Sequence, residues 1–151
     1  MSLRILMVCQ HYWPEQFQIT DICEELVRRG HEVTALVGIP NYPTGVVPDE
    51  YLDGRSREQE RNGVRIVRAE EVPRKPGVIG LARNYWSYMR GADRRLRDLE
   101  GRYDVILAYQ LSPVLMVEPA MRAKRLFGAP VLLYCADIWP DAAMAMLPRG
   151  L

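Results

Sequence analysis

Lysine is almost missing from this chain of 151 residues. Only Lys75 and Lys124 interrupt an otherwise all-arginine basic set, and 20 basic side chains face 19 acidic ones for a net charge of +1. A near balance excludes a dedicated nucleic-acid binder, whose domain is visibly basic; the arginine bias itself reads as genomic base composition. No apolar run approaches the ~18–20 residues that cross a bilayer. The opening stretch Ile5-Leu6-Met7-Val8-Cys9 lacks a small-residue cleavage site, so it reads as a strand and not a signal peptide. Cysteine is scarce: Cys9, Cys23 and Cys135 are widely spaced in apolar surroundings, which excludes a disulfide framework or thiolate metal site and predicts three reduced core residues. Glycine is absent where nucleotide folds need it most. The turn after the first strand has none, so the dinucleotide fingerprint G-x-G-x-x-G is missing and an oxidoreductase or epimerase is disfavoured. No G-x-x-x-x-G-K-S/T occurs, which disfavours a P-loop nucleotidase.

With 48% apolar and 26% charged residues, the chain has the balance of one globular domain. Short apolar runs alternate with helical patterns. Strands are predicted at Leu3–Cys9, Glu32–Val37, Val64–Arg68, Val105–Tyr109 and Val131–Cys135, each nearly continuous in Val, Ile and Leu, as in strands buried on both faces. Between the first two, Ile19, Ile22, Cys23, Leu26 and Val27 recur at helical spacing within Phe17–Arg29, and Gly30 supplies the stop. This rhythm predicts a three-layer α/β/α Rossmann-like domain with a mainly parallel sheet in the order 3-2-1-4-5. Residues 38–62, rich in Pro and Gly, are read as one long functional or mobile loop. After Pro76 a helix buries Leu81, Tyr85, Tyr88, Met89, Ala92, Leu96 and Leu99 on one face and carries Arg83, Arg90, Arg94 and Arg97 on the other, with Trp86 at the border. An arginine stripe beside a tryptophan is either a solvated face or a surface for anionic lipid.

In such sheets ligands bind beyond the carboxyl ends of the strands. The segments expected there are Gln10–Gln16, Gly38–Pro43, Gln110–Pro113 and Asp137–Asp141. They carry amides, carboxylates and aromatic rings but little Lys or Arg, a set suited to the hydroxyls and apolar ring faces of a sugar. The binding candidates are His11, Trp13, Glu15, Gln16, Asn41, Tyr42, Gln110, Ser112 and Trp139, with Asp137 as the leading polar group; Asn41, Gln110 and Asp137 are expected to share one cleft. His31, opening a strand, is read as structural. No metal ligand set is expected.

These same stretches resemble glycosyltransferases of family 4, which have the GT-B fold. The resemblance rests on Gln10–Glu15, Arg29-Gly30-His31-Glu32-Val33-Thr34, Pro40-Asn41-Tyr42-Pro43, Asn62-Gly63-Val64-Arg65, Tyr109-Gln110-Leu111-Ser112-Pro113 and Asp137-Ile138-Trp139-Pro140, in family order and spacing. It looks like the WbuB-like branch that builds capsule, O-antigen or other exopolysaccharide units. The resemblance implies two Rossmann-like halves across a cleft, an N-terminal one for the acceptor and a C-terminal one for a nucleotide sugar, with retaining, metal-independent transfer. It covers only the N-terminal half, so residues 1–151 are expected to be an acceptor-side domain cut before its end, with the donor-binding domain outside this chain. Departures are Glu15-Gln16, where many relatives carry Gly-Gly, and Tyr109 and Ala136, where others carry His.

The expected function is therefore acceptor binding in a hexosyl transfer from a donor such as a UDP-sugar, with no cofactor, to a saccharide or lipid-linked saccharide. Asp137 would act at the reacting centre, and the isolated chain would be inactive. Arg83, Trp86, Arg90, Arg94 and Arg97 would form the membrane-facing surface of a cytoplasmic, peripherally bound protein. The apolar tail Ala142–Leu147 predicts self-association. The alternative is a non-catalytic sugar- or lipid-linked-sugar-binding half-domain needing a partner chain, and the reading frame beyond Leu151 separates the two.

Overall fold

Along Arg4–Val8 (β1) successive side chains leave on opposite faces, and both faces are covered. Leu6 and Val8 enter one apolar cluster, Ile5 and Met7 another. The same division runs through Glu32–Val37 (β2), Val64–Arg68 (β4) and Val105–Gln110 (β5), where Leu36, Val67 and Ile106 join the first cluster and Ala35, Ile66 and Leu107 the second. The continuous apolar runs follow from this double burial. The computed structural model describes residues 1–111 and 113–136.

Ile19–Arg28 (α1) covers one face with Ile19 and Cys23, and the chain leaves it through Gly30 at φ +88°, a conformation that favours glycine. Val78–Asp98 (α2) and Glu118–Phe127 (α3) cover the other with Tyr88, Ala92, Leu96, Ala120 and Ala123. The result is an α/β/α sandwich around a sheet in the order β3-β4-β2-β1-β5-β6, with Glu58–Arg61 as β3 and Val131–Cys135 as β6. All neighbours are parallel except β3 and β4. For the five strands expected from sequence the order is the one predicted. His31 is structural: its Nδ1 accepts from the Leu3 amide at 3.2 Å.

Three expectations need correction. Residues 38–62 are not one unstructured loop: a broken pair of 3-10 turns over Asp49–Gly54 buries Tyr51, and β3 then pairs antiparallel with β4 across Asn62-Gly63. Glu58–Arg61 escaped notice because an edge strand of charged residues has no apolar run. Second, β6 is not buried on both faces. Among the described residues it is paired only with β5, and Leu132, Leu133 and Tyr134 are exposed. Third, Cys135 at its end is exposed, whereas Cys9 and Cys23 lie in the core, where burial pushes both thiols up to about 12. The apolar tail Ala142–Leu147 lies outside the described residues.

Candidate functional site

The parallel order brings the ends of β1, β2, β4 and β5 to one edge. Two carboxylates tie the first three together. Glu15, in the turn after β1, accepts the backbone N–H groups of Asn41 (2.8 Å) and Tyr42 (2.7 Å) on Oε1 and faces His11 Nδ1 at 2.8 Å through Oε2. Its side chain is only 5% exposed and that of His11 7%. The His11 ring stacks on Phe17 at 5.2 Å and lies as close to Tyr42.

Glu71, just after β4, is the second tie. It accepts from Gln10 Nε2 at 2.8 Å and from Asn41 Nδ2 at 2.6 Å. Gln10 Nε2 also donates to Asn84 Oδ1 at 2.8 Å, and Asn84 Nδ2 to the Val72 carbonyl, so α2 is locked to the same knot. Burial pushes the Glu71 carboxyl well above the usual carboxylate range, against the hydrogen bond from Gln10 and helped by the nearby Glu15 charge. Arg68, itself buried, closes the outer side. It donates to the carbonyls of Trp13 (2.6 Å) and Gly38 (3.1 Å) and to Gln59 Oε1, with its guanidinium 4.7 Å from the Tyr51 ring.

Of the residues expected from sequence, His11, Glu15, Asn41 and Tyr42 therefore meet in one cluster. Asn41 is 2% exposed with its side-chain amide fully engaged, donating to Ile39 and Glu71 and accepting from Arg74, so it shapes the site. Tyr42 is exposed, with Arg74 over its ring at 5.4 Å. Trp13 is half-buried beneath Arg61 at 4.7 Å and, with exposed Gln16, borders an open groove of about 440 Å³. Gln110 is buried at the end of β5, where Nε2 donates to the Leu111 carbonyl and Oε1 accepts from Cys135 Sγ. Ser112, Asp137 and Trp139 lie outside the described residues. Arg83, Trp86, Arg90, Arg94 and Arg97 are all exposed on α2, and Arg90 lies over the Trp86 ring at 5.8 Å.

Sequence reasoning missed Glu71, Asn84 and Arg68. The signal for Glu71 was its place directly after a predicted strand, at the one strand end passed over. Asn84 shows as a polar residue within an apolar helix face.

Chemically, the edge offers a carboxylate–imidazole pair, an enclosed carboxyl with a raised pKa, amide donors and flat aromatic surfaces. A carboxylate at Nδ1 selects the tautomer protonated there and leaves Nε2 as a hydrogen-bond acceptor. No trio of His, Cys, Asp or Glu among the described residues gathers to hold a metal.

A family model described as "Glycosyl transferase 4-like domain" matches residues 16–150. No curated protein matches the sequence. Among solved structures, the chain is similar to the C-terminal domain of a hydrogenase from Pyrococcus furiosus, at TM-score 0.58 and 20% identity over 87% of this chain and 91% of that one. It is similar to the calicheamicin glycosyltransferase CalG4 at TM-score 0.53 and 16% identity, covering 87% of this chain and 32% of that one. TcCGT1, solved in complex with UDP, gives TM-score 0.56 and 9% identity, with 89% and 28% covered. The chain thus spans about a third of the length of these two. At such identities the likeness shows the fold alone, and the hydrogenase domain illustrates that one fold serves unrelated activities.

Proposed function

The chain belongs to the glycosyl transferase 4-like domain family, and from that premise we propose that it is the acceptor-binding N-terminal domain of a retaining glycosyltransferase. The donor is a nucleotide sugar such as a UDP-sugar, held by a second domain. The acceptor is a saccharide, carried on a lipid, in the assembly of a bacterial surface polysaccharide. One observation carries this reading: Glu15 and Glu71 join the loops after β1, β2 and β4 into a rigid rim of amides and aromatic faces. A rim fixed before binding loses little entropy when a sugar docks, and rings such as Tyr42 and Trp13 offer surfaces for its apolar faces.

At the reacting centre we assign Asp137 to the stabilisation of positive charge on the donor sugar, because an oxocarbenium-like transition state carries more positive charge than the ground state. The exposed arginine face of α2 with Trp86 supports a peripheral contact with an anionic membrane. No helix among the described residues is long and apolar enough to cross one.

The test is ligand-observed NMR on the 151-residue chain with a polyprenyl-diphosphate-linked sugar analogue and, separately, a UDP-sugar. Binding of the first and not the second is expected, with no transfer. Turnover of a UDP- or GDP-sugar well above a blank, or binding of the nucleotide sugar alone, refutes the assignment.

A further inference from the structure

Beside Arg68, which also closes the outer side of the strand-end rim, a small cleft of about 80 Å³ lies between α2 and the outer strands. It is lined by Arg57, Arg68, Glu70, Gly91, Arg94 and Arg95. Arg57 is held in place by its backbone, whose carbonyl accepts the Arg68 amide at 2.8 Å. Two of its guanidinium nitrogens are not matched by an acceptor among the described residues. Nε and Nη1 of Arg57 and Nε of Arg95 are buried donors with no hydrogen-bond partner among the described residues.

The neighbouring charges do not cancel this. Arg95 reaches Glu58 at 3.0 Å and Asp98 at 3.5 Å through its terminal nitrogens, which leaves Nε unmatched. Arg94 stands 3.8 Å from Glu70, a long contact between exposed groups. Arg68 directs its own donors at the Trp13 and Gly38 carbonyls. Arg57 makes none of the ion pairs seen among the described residues.

A guanidinium with buried, unmatched N–H groups cannot lose its proton; water satisfies such N–H groups, and an anion also offsets the charge. A water-sized group needs roughly 10–15 Å³ of such space, so the cleft has room for a small oxyanion and not for a sugar. Guanidinium donors arriving from three positions on two segments suit a tetrahedral anion, which accepts in several directions, better than a planar carboxylate.

We propose that this cleft binds a phosphoryl group, a phosphate monoester or diphosphate held by Arg57, Arg94 and Arg95. The site is independent of the acceptor-binding reading. The phosphoryl group has two sources, a membrane phospholipid headgroup or a soluble phosphorylated compound, and the chemistry of the cleft is the same for both.

Calorimetry of the 151-residue chain with inorganic phosphate and with pyrophosphate, at ionic strength fixed with sodium chloride, tests it. Saturable binding is expected, weakened about tenfold or more by Arg57→Gln and by Arg95→Gln, and unchanged by Arg28→Gln on the far helix. Arg57→Lys keeps the charge and loses the paired donors, so it too should weaken binding several-fold. Vesicles containing phosphatidic acid separate the sources: a drop in vesicle binding with Arg57→Gln identifies a headgroup site, and unchanged vesicle binding with lost pyrophosphate binding identifies a soluble ligand. Absence of saturable binding by the unmodified chain overturns the proposal, whatever the variants do. So does wild-type affinity in Arg57→Lys.

Discussion

Replacing Glu15 tests whether the rim is a preassembled scaffold. Its Oε1 is the acceptor for two backbone N–H groups, those of buried Asn41 and exposed Tyr42, and Oε2 faces His11. In Glu15→Ala the Asn41 amide loses its acceptor inside the protein and costs about 1–3 kcal/mol, whereas water reaches Tyr42. Loss of the contact to His11 adds about 1 kcal/mol, for a total of roughly 2–4 kcal/mol. Glu15→Gln keeps a carbonyl oxygen for both backbone amides; its NH2 then faces His11 Nδ1, which accepts in the other tautomer, and the lost charge assistance costs about 1 kcal/mol. For a domain of this size each kcal/mol moves the midpoint by about 2–4 °C. Thermal unfolding followed by circular dichroism should therefore show alanine lower by about 4–16 °C and glutamine by about 2–4 °C. The ordering is the sharp part of the test. Equal losses in the two variants, or none in either, would mean that the acceptor oxygen does not hold the β1 and β2 loops together.

Glu71 gives a pH signature. Its folded-state pKa is raised above the ordinary 4.5, so the protein keeps a proton that the unfolded chain releases. That stability is fully present below about pH 4.5 and falls as pH rises through the folded-state pKa; Glu71→Gln should flatten the decline, and superimposable urea midpoints across pH for the two proteins would refute it. Gly91→Ala should destabilise by about 1–3 kcal/mol despite the better helix propensity of alanine, because a Cβ would stand 2.0 Å from the Glu70 carbonyl oxygen; an unchanged denaturation midpoint contradicts this. Replacing Arg83, Arg90 and Arg97 together by glutamine should weaken binding to anionic vesicles roughly a hundredfold, from about 1 kcal/mol per residue, and salt should weaken the parent's binding. Equal binding to neutral vesicles, or none to either kind, removes the membrane contact. In the proposed two-domain enzyme, Asp137→Asn should lower turnover more than about tenfold with donor affinity kept, as expected for a charge acting only in the transition state; unchanged turnover argues against the assignment.

Much of the architecture was legible because it rests on local patterns. Continuous apolar runs such as Ile5–Cys9 and Val131–Cys135 mark strands whatever surrounds them, the Ile19–Val27 spacing marks a helix face, and Gly30 marks its end. Short strands separated by helices then admit few topologies, since crossovers are right-handed. That the candidates His11, Glu15, Asn41 and Tyr42 lie together at the strand ends follows from that.

What each residue does there was decided by the tertiary structure alone. Asn41, expected as a ligand-binding amide, is buried with its side chain bonded to Ile39, Glu71 and Arg74. Gln10 meets Glu71 and Asn84 across 61 and 74 positions of sequence, a pairing that exists only because β4 lies beside β2 and α2 crosses behind them. The exposure of β6 and the strand role of Glu58–Arg61 likewise depend on which edge each occupies. So does the arginine cleft, whose Arg57 and Arg95 come together only when an edge strand and a distant helix pack. Periodicity records what a residue's own element buries. Hydrogen bonds and charges between loops depend on sheet order and register, and no stretch of neighbouring residues encodes those.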